Sequence, residues 1–264
     1  MKISFIGLGN MASAIIRGMC ESGNFGPQDI LGYDAVPQAA QSMKEAAGII
    51  ICDSLSGVAE AEVIVLAVKP QVLPSVLSNL KSMRLEGKLV ISIVAGRSIE
   101  SLQKELPPKV AIIRVMPNVN ARVGASTSAY AASAEATDGH KRIIEDIFAS
   151  IGTITEISES LFSIYMAIAS ASPAFSYLYI DALARAGVRG GMPKAQAVKI
   201  AASAVYGSAK LIMETDEHPF TLVDQVCSPA GTTIEGIAAL QKLGFESAVH
   251  RAVEAVVEKD KSLR

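Results

Sequence analysis

Two short stretches hold the residues whose types and spacing can do chemistry. The first is Gly7-Leu8-Gly9-Asn10-Met11-Ala12, a G-x-G-x-x-A pattern directly after the apolar run Ile3–Ile6. Glycine at 7 permits a tight turn, glycine at 9 lets a pyrophosphate approach the backbone, and alanine at 12 lets a following helix pack on the strand. A helix beginning here aims its free N–H groups and a partial positive charge at the phosphates. Alone the pattern is weak, but between a predicted strand and a predicted helix it points to a dinucleotide. The second stretch is Cys227-Ser228-Pro229-Ala230-Gly231-Thr232-Thr233-Ile234-Glu235-Gly236. Its small residues open a helix, and Thr232 with Glu235 fits a capping box. The N–H groups of Gly231, Thr232 and Thr233, with the hydroxyls of Ser228 and Thr233, make a candidate anion site. By spacing alone, an ordinary capped helix reads equally well.

Other positions group around the first stretch. Asp34 ends the second predicted strand, 22 residues beyond Ala12. A carboxylate there accepts ribose hydroxyls and repels a 2′-phosphate, which favours NADH; a solvated turn aspartate is the alternative. Ala67-Val68-Lys69-Pro70, Ala95-Gly96 and Met116-Pro117-Asn118 end three further predicted strands, on the sheet edge where ligands bind. Lys69 approaches cofactor or carboxylate, or is a plain surface lysine. Gly96 clears space near a nicotinamide, and Asn118 either bonds the cofactor or caps a turn. Ile6 and Ser54 complete the candidate cofactor set. His218, ahead of Pro219, reads as a helix-capping or interface histidine before it reads as a catalytic acid, and His140 and His250 read as surface residues. No His, Cys, Asp or Glu cluster has metal-ligand spacing, so no metal is expected.

The elements that must position these residues follow from apolar patterning. Ile3–Ile6, Ile30–Tyr33, Ile49–Ile51, Val63–Val68, Leu89–Val94 and Val110–Val115 are short, largely apolar, β-rich runs, suited to a parallel sheet covered on both faces. Helices are predicted after Gly9, over Gln38–Ala47, over Ser98–Leu106 and over His140–Ile151, the last with Gly152 as its C′ stop. From about Leu161 the pattern is helical only: one helix to Ala186 ending at Gly187, one from Pro193 as first helical residue to Glu214, and one from Phe245. The fold class is therefore α/β, a doubly wound Rossmann sheet over residues 1–157 followed by an all-helical part over 158–264.

Composition narrows the partners. Half of the 264 residues are hydrophobic and the formal net charge is −2, which argues against a nucleic-acid surface. Cys20, Cys52 and Cys227 are odd in number and lack C-x-x-C spacing, as expected of reduced thiols in the cytosol. The N-terminal apolar run reaches Gly7 too soon for a secretory signal. Leu161–Leu183 is nearly long enough to span a bilayer, but it carries Pro173, Asp181 and four serines and has no cationic flank before it. A helix buried within or between subunits accounts for it better.

Taken together, the chain resembles the pyrroline-5-carboxylate reductase family over essentially its whole length. The carriers are Gly7–Met11, Ala67–Pro70, Met116–Asn118, Gly191–Ala197, His218-Pro219 and above all the Ser228–Thr233 loop, which is the specific signature. The resemblance implies NADP(H) or NAD(H) as cofactor and 1-pyrroline-5-carboxylate as substrate, reduced to L-proline. It implies a helical domain interlocking with that of a second subunit, dimers that commonly assemble into decamers of five dimers, and a substrate site completed across the dimer. Two departures stand out. Family members usually have Ser-Gly-Ser-x-Pro-Ala where this chain has Ala169-Ser170-Ala171-Ser172-Pro173-Ala174, and Thr-Pro where Val119-Asn120 follows Asn118. Members commonly prefer NADPH, which Asp34 opposes.

An imine is basic enough to be protonated, and the iminium is already electrophilic, whereas a carbonyl usually needs a strong acid beside it. The Ser228–Thr233 loop holds neither His nor Lys. The expected roles are Ser228, Gly231 and Thr232 holding the carboxylate, and Thr233 bonding the ring nitrogen as the catalytic residue. Two rival readings remain: a hydroxy- or keto-acid dehydrogenase using Lys69 or His218, and a reductase-like nucleotide-binding regulatory protein without imine turnover.

Overall fold

The structure is a computed structural model that describes residues 1–262. Eight strands form one sheet in the order β3-β2-β1-β4-β5-β6-β7-β8. They are β1 (Ile3–Ile6), β2 (Ile30–Tyr33), β3 (Ile50–Ile51), β4 (Val63–Leu66), β5 (Leu89–Ser92), β6 (Ala111–Met116), β7 (Ser126–Ala132) and β8 (Gly152–Glu156). All neighbours are parallel except β6 and β7, so the first six strands carry the doubly wound order 3-2-1-4-5-6. Register aligns Ile6 with both Tyr33 and Leu66, Leu66 with Ser92, and Ser92 with Arg114. The turns after β1, β2, β4 and β5 therefore open on one edge.

Helices α1 (Asn10–Glu21), α2 (Pro37–Ala47), α3 (Leu55–Val58), α4 (Leu73–Lys81), α5 (Ile99–Glu105) and α6 (Asp138–Ala149) connect these strands. The core is two buried layers, one on each face of the sheet. Val63 and Val65 join Phe5, Ile15, Met19, Ile147 and Phe148 on one side, while Ile64 and Leu66 join Leu73, Leu77, Leu80 and Leu102 on the other. Side chains alternate across a strand, and with both faces covered the strand reads as a continuous apolar run. Helix α4 escaped the sequence reading although Leu73, Val76, Leu77 and Leu80 form its buried stripe. Cys20 and Cys52 are free thiols. Burial first, and nearby carboxylates second, push both thiols above their ordinary pKa, which keeps them protonated.

Gly152 is not the C′ stop of α6. It is the first residue of β8, with φ +145°, and a side chain there would overlap the Ser126 backbone of β7. The helix ends instead at Ser150, and Gly152 is required by close approach of two strands. Four residues further along β7, opposite Glu156, Tyr130 is buried, its hydroxyl donating to Glu145 Oε1 at 3.0 Å and reaching Glu156 Oε2 at 3.4 Å. Burial, then the two carboxylates, raises the phenol pKa, so it stays a donor. Tyr130→Phe should destabilise the fold by about 1–2 kcal/mol, because two carboxylates lose a donor; urea titration checks this.

The long helix expected from Leu161 is broken. A 3₁₀ turn (Glu159–Leu161), α7 (Phe162–Tyr165) and a π-helical segment (Met166–Ala171) precede α8 (Ser172–Arg189), which runs past Gly187 to Gly190. Pro173 cannot donate an N–H, which explains a change of helical pitch at this point. Pro193 is the N-cap of α9 (Lys194–Thr215), one residue before the helix. The remaining helices are α10 (Pro219–Val226), α11 (Thr232–Lys242) and α12 (Phe245–Ser262).

The chain divides into two compact units: residues 1–170 with the stretch from Val257 onward, and residues 171–256. In the first, the Ser163 hydroxyl donates to buried Asp260 at 2.6 Å, fastening the end of α12 to α7. In the second, α8 packs on α9, with Lys194 and Arg185 both bound to Asp181. Its fully buried side chains among the described residues are Pro173, Ala184, Ala197 and Ala201, while Tyr177, Leu178, Met213 and Leu243 are largely exposed.

Candidate active site

At the start of α1, Gly9 occupies the N-cap with extended backbone, no side chain caps the helix, and the first turn holds no acidic residue. The amides of Asn10, Met11 and Ala12 are thus left for an anion. The two glycines differ in kind. Gly7 has φ +96° and a β-carbon there would lie 2.7 Å from the Ala67 carbonyl oxygen, while a β-carbon on Gly9 would meet nothing within 4 Å. Gly7 serves the turn; the space over Gly9 fits a pyrophosphate.

Asp34 braces this turn. Its Oδ2 accepts from Leu8 N–H at 2.7 Å and its Oδ1 from Val36 N–H at 2.9 Å. Each oxygen keeps a lone pair for a ribose hydroxyl. Ile6 is buried in β1, and Leu8 is buried beside it. Ser54 is the N-cap of α3 and shares a hydroxyl bond of 2.7 Å with Ser56. Ala67 and Val68 line the turn after β4, with Lys69 and Pro70 exposed beyond them. Ala95 and Gly96 are exposed after β5, and Gly96 has φ +74° with open space around it.

Asn118 does cap a turn. Its Oδ1 accepts from Asn120 N–H at 3.1 Å, opening a 3₁₀ turn at Val119–Val123, and its Nδ2 donates to the Ala169 carbonyl at 2.9 Å. One buried cation escaped the sequence reading. Arg114, in the middle of β6, donates to Glu159 Oε1 at 2.9 Å and lies 4.4 Å over the Phe162 ring. The same Glu159 oxygen accepts from Ile99 N–H at 2.9 Å, holding the start of α5 and hence the Gly96 turn. An arginine inside the apolar run Ala111–Met116 was the available signal.

The second unit contains the Ser228–Thr233 loop. The capping box does not form: Gly231 is the N-cap of α11, Thr232 is the first helical residue, and no side chain caps the helix. Its first amides are therefore left for a ligand. Gly231 N–H donates to the Ser228 carbonyl at 3.0 Å, Ser228 packs where a β-carbon of residue 231 would go, and Ala230 takes left-handed φ +57°. Thr232 and Thr233 are both exposed on the first turn. His218 caps α10, its Nδ1 accepting from Phe220 N–H at 3.2 Å. The described residues contain no group of three or more His, Cys, Asp or Glu able to hold a metal ion.

A doubly wound sheet with an uncapped glycine turn defines a Rossmann-type dinucleotide-binding protein. Residues 2–96 match the family model "NADP oxidoreductase coenzyme F420-dependent", and residues 159–263 match "Pyrroline-5-carboxylate reductase dimerisation". The pyrroline-5-carboxylate reductase of Escherichia coli K12 is 40% identical over 263 residues, covering 99% of this chain and 98% of that one. That of Methanosarcina acetivorans is 38% identical, covering 99% and 97%. Among solved structures, a pyrroline-5-carboxylate reductase from Coxiella burnetii superposes with TM-score 0.94 at 30% identity, covering 99% and 98%. Plasmodium falciparum pyrroline carboxylate reductase with NADP bound gives 0.88 at 32%, covering 100% and 98%. The chain belongs to the pyrroline-5-carboxylate reductase family.

Proposed function

We propose that this chain is a pyrroline-5-carboxylate reductase, which takes the last step of proline synthesis by reducing the ring C=N of 1-pyrroline-5-carboxylate with NADPH or NADH. The observation that carries the reading is the pairing of two uncapped helix starts, α1 behind Gly9 and α11 behind Gly231, on a chain of this family. Residues 1–157 serve the dinucleotide; residues 158–264 serve dimerisation and substrate.

When bound, the reduced nicotinamide supplies the hydride. The chain's own residues bind and orient. Ile6–Met11, Asp34, Ser54, Ala67–Pro70, Ala95, Gly96 and Asn118 make up the dinucleotide site, with the α1 amides on the pyrophosphate. The amides of Thr232 and Thr233 with the Ser228 hydroxyl hold the substrate carboxylate; the Gly231 N–H, expected free, is taken by the Ser228 carbonyl, so Gly231 shapes the loop instead. The Thr233 hydroxyl bonds the ring nitrogen and relays to it, from solvent, the one proton that makes the imine an iminium before the hydride arrives. No histidine or lysine lies in that loop, as suits an iminium that is already electrophilic.

The loop meets the dinucleotide of a second subunit. The exposed apolar side chains of residues 171–256 support this, since a unit with so few buried residues needs covering. The helical stretch Glu159–Arg189 is long and apolar enough to cross a membrane by length and composition, with 28% of its most apolar window buried. We assign its apolar surface to the subunit contact, because the dimerisation match spans it. The dimers assemble five at a time, and the protein works in the cytosol, where its three free thiols stay reduced.

The test is an initial-rate assay with 1-pyrroline-5-carboxylate and each nicotinamide cofactor, run beside small keto acids. Cofactor oxidation with the imine and none with keto acids is expected. Nucleotide binding without imine turnover would overturn the reading.

A further inference from the structure

The π-helical segment Met166–Ala171 contains an unusual atom. Ser170 is half-buried, yet its hydroxyl is shielded from solvent and has no hydrogen-bond partner among the described residues. Leaving a buried hydroxyl unpaired is costly, and such groups are few in folded proteins. Single turns of π-helix are likewise rare and concentrate at functional sites. No bond holds the side chain in its present rotamer, so an incoming acceptor can capture it by a turn about χ1.

The position of Ser170 says which ligand group that is. The carbonyl of the preceding residue, Ala169, accepts from Asn118 Nδ2 at 2.9 Å, and Asn118 follows the C-terminal end of β6. In a sheet of order 3-2-1-4-5-6, β4–β6 form the second mononucleotide-binding half. The first half begins at the Gly7–Ala12 turn, so the second receives the nicotinamide end. The polar group on that ring is a carboxamide, with one acceptor and two donors, and a serine hydroxyl both donates and accepts. We propose that Ser170 hydrogen-bonds the nicotinamide carboxamide and fixes the ring's orientation as a positioning residue. This rests on the dinucleotide half of the reading above.

Tyr165 provides the control. Its hydroxyl is also buried and unpartnered, but its ring packs on Phe162 and the core layer of β4–β6. Full-length wild type, Ser170→Ala and Tyr165→Phe would be titrated with NADP⁺ and with 2′-phospho-ADP-ribose, which lacks nicotinamide, and melted without ligand. Both variants should melt above wild type, having lost an unpaired hydroxyl. Ser170→Ala should bind NADP⁺ about tenfold more weakly while binding the fragment as wild type does; Tyr165→Phe should bind both normally. Wild-type affinity for NADP⁺ in Ser170→Ala, an equal loss for both ligands, or a wild type that binds fragment and NADP⁺ equally well would overturn the proposal. Binding is the readout, so failure to reduce the imine would sink the reaction assigned above without touching this result.

Discussion

Thr233→Ala should lower kcat/KM for 1-pyrroline-5-carboxylate about a hundredfold, with most of the loss in kcat. Losing one well-placed hydrogen bond to the reacting group commonly has that effect, by analogy with oxyanion donors. The fold should not suffer. Thr233 is exposed on the first turn of α11, and alanine is the better helix former there. The melting temperature should therefore stay level or rise slightly, separating chemistry from stability. Thr233→Ser keeps the hydroxyl and should recover most of the rate. A Thr233→Ala protein with wild-type kcat/KM would remove the residue from the reaction.

Substitutions at the two glycines of the first turn should fail for opposite reasons. In Gly7→Ala the new methyl group is forced against the Ala67 carbonyl at φ +96°, both of them backbone constraints that cannot relax cheaply. The expected cost is on the order of 3 kcal/mol, read as a melting temperature lower by roughly 10 °C. Gly9→Val puts its side chain into open space at φ −70°, where any residue is at ease. It should melt like wild type yet bind the dinucleotide at least about a hundredfold more weakly, since its branched chain separates the pyrophosphate from two or more charge-assisted N–H bonds. Calorimetric titration beside a thermal melt distinguishes the two. Equal melting temperatures for both variants would refute the division of roles.

Much of this architecture could be read from residues alone. The parallel strands were legible because burial on both faces leaves β1, β4 and β5 almost wholly apolar, with one small serine each in β1 and β5 and none in Val63–Leu66. Strands β7 and β8 were not: Ser126-Thr127-Ser128-Ala129 is small and polar, and its serines are buried because they bond one another and the backbone. Gly152 misled for a related reason. A glycine after a helix satisfies the C′ rule, and only the strand it later meets shows why no other residue fits. The glycine turn after β1 was legible from its spacing, whereas the occupation of Asp34 by two backbone amides depends on where Leu8 lies in space. The α11 capping box failed for lack of one residue of register, since Thr232 stands inside the helix and not before it.

The hydrogen bond from Ser163 to Asp260 bears on how this protein can be cut and joined. The unit that carries the sheet is made from two separate pieces of sequence, the second being the end of α12. A clone stopping after residue 157 or 170 would omit that carboxylate. Grafting this body onto another helical partner therefore means transplanting both ends of the gene together, and a bulky fusion is better carried at the N-terminus, where Met1 and Lys2 are exposed.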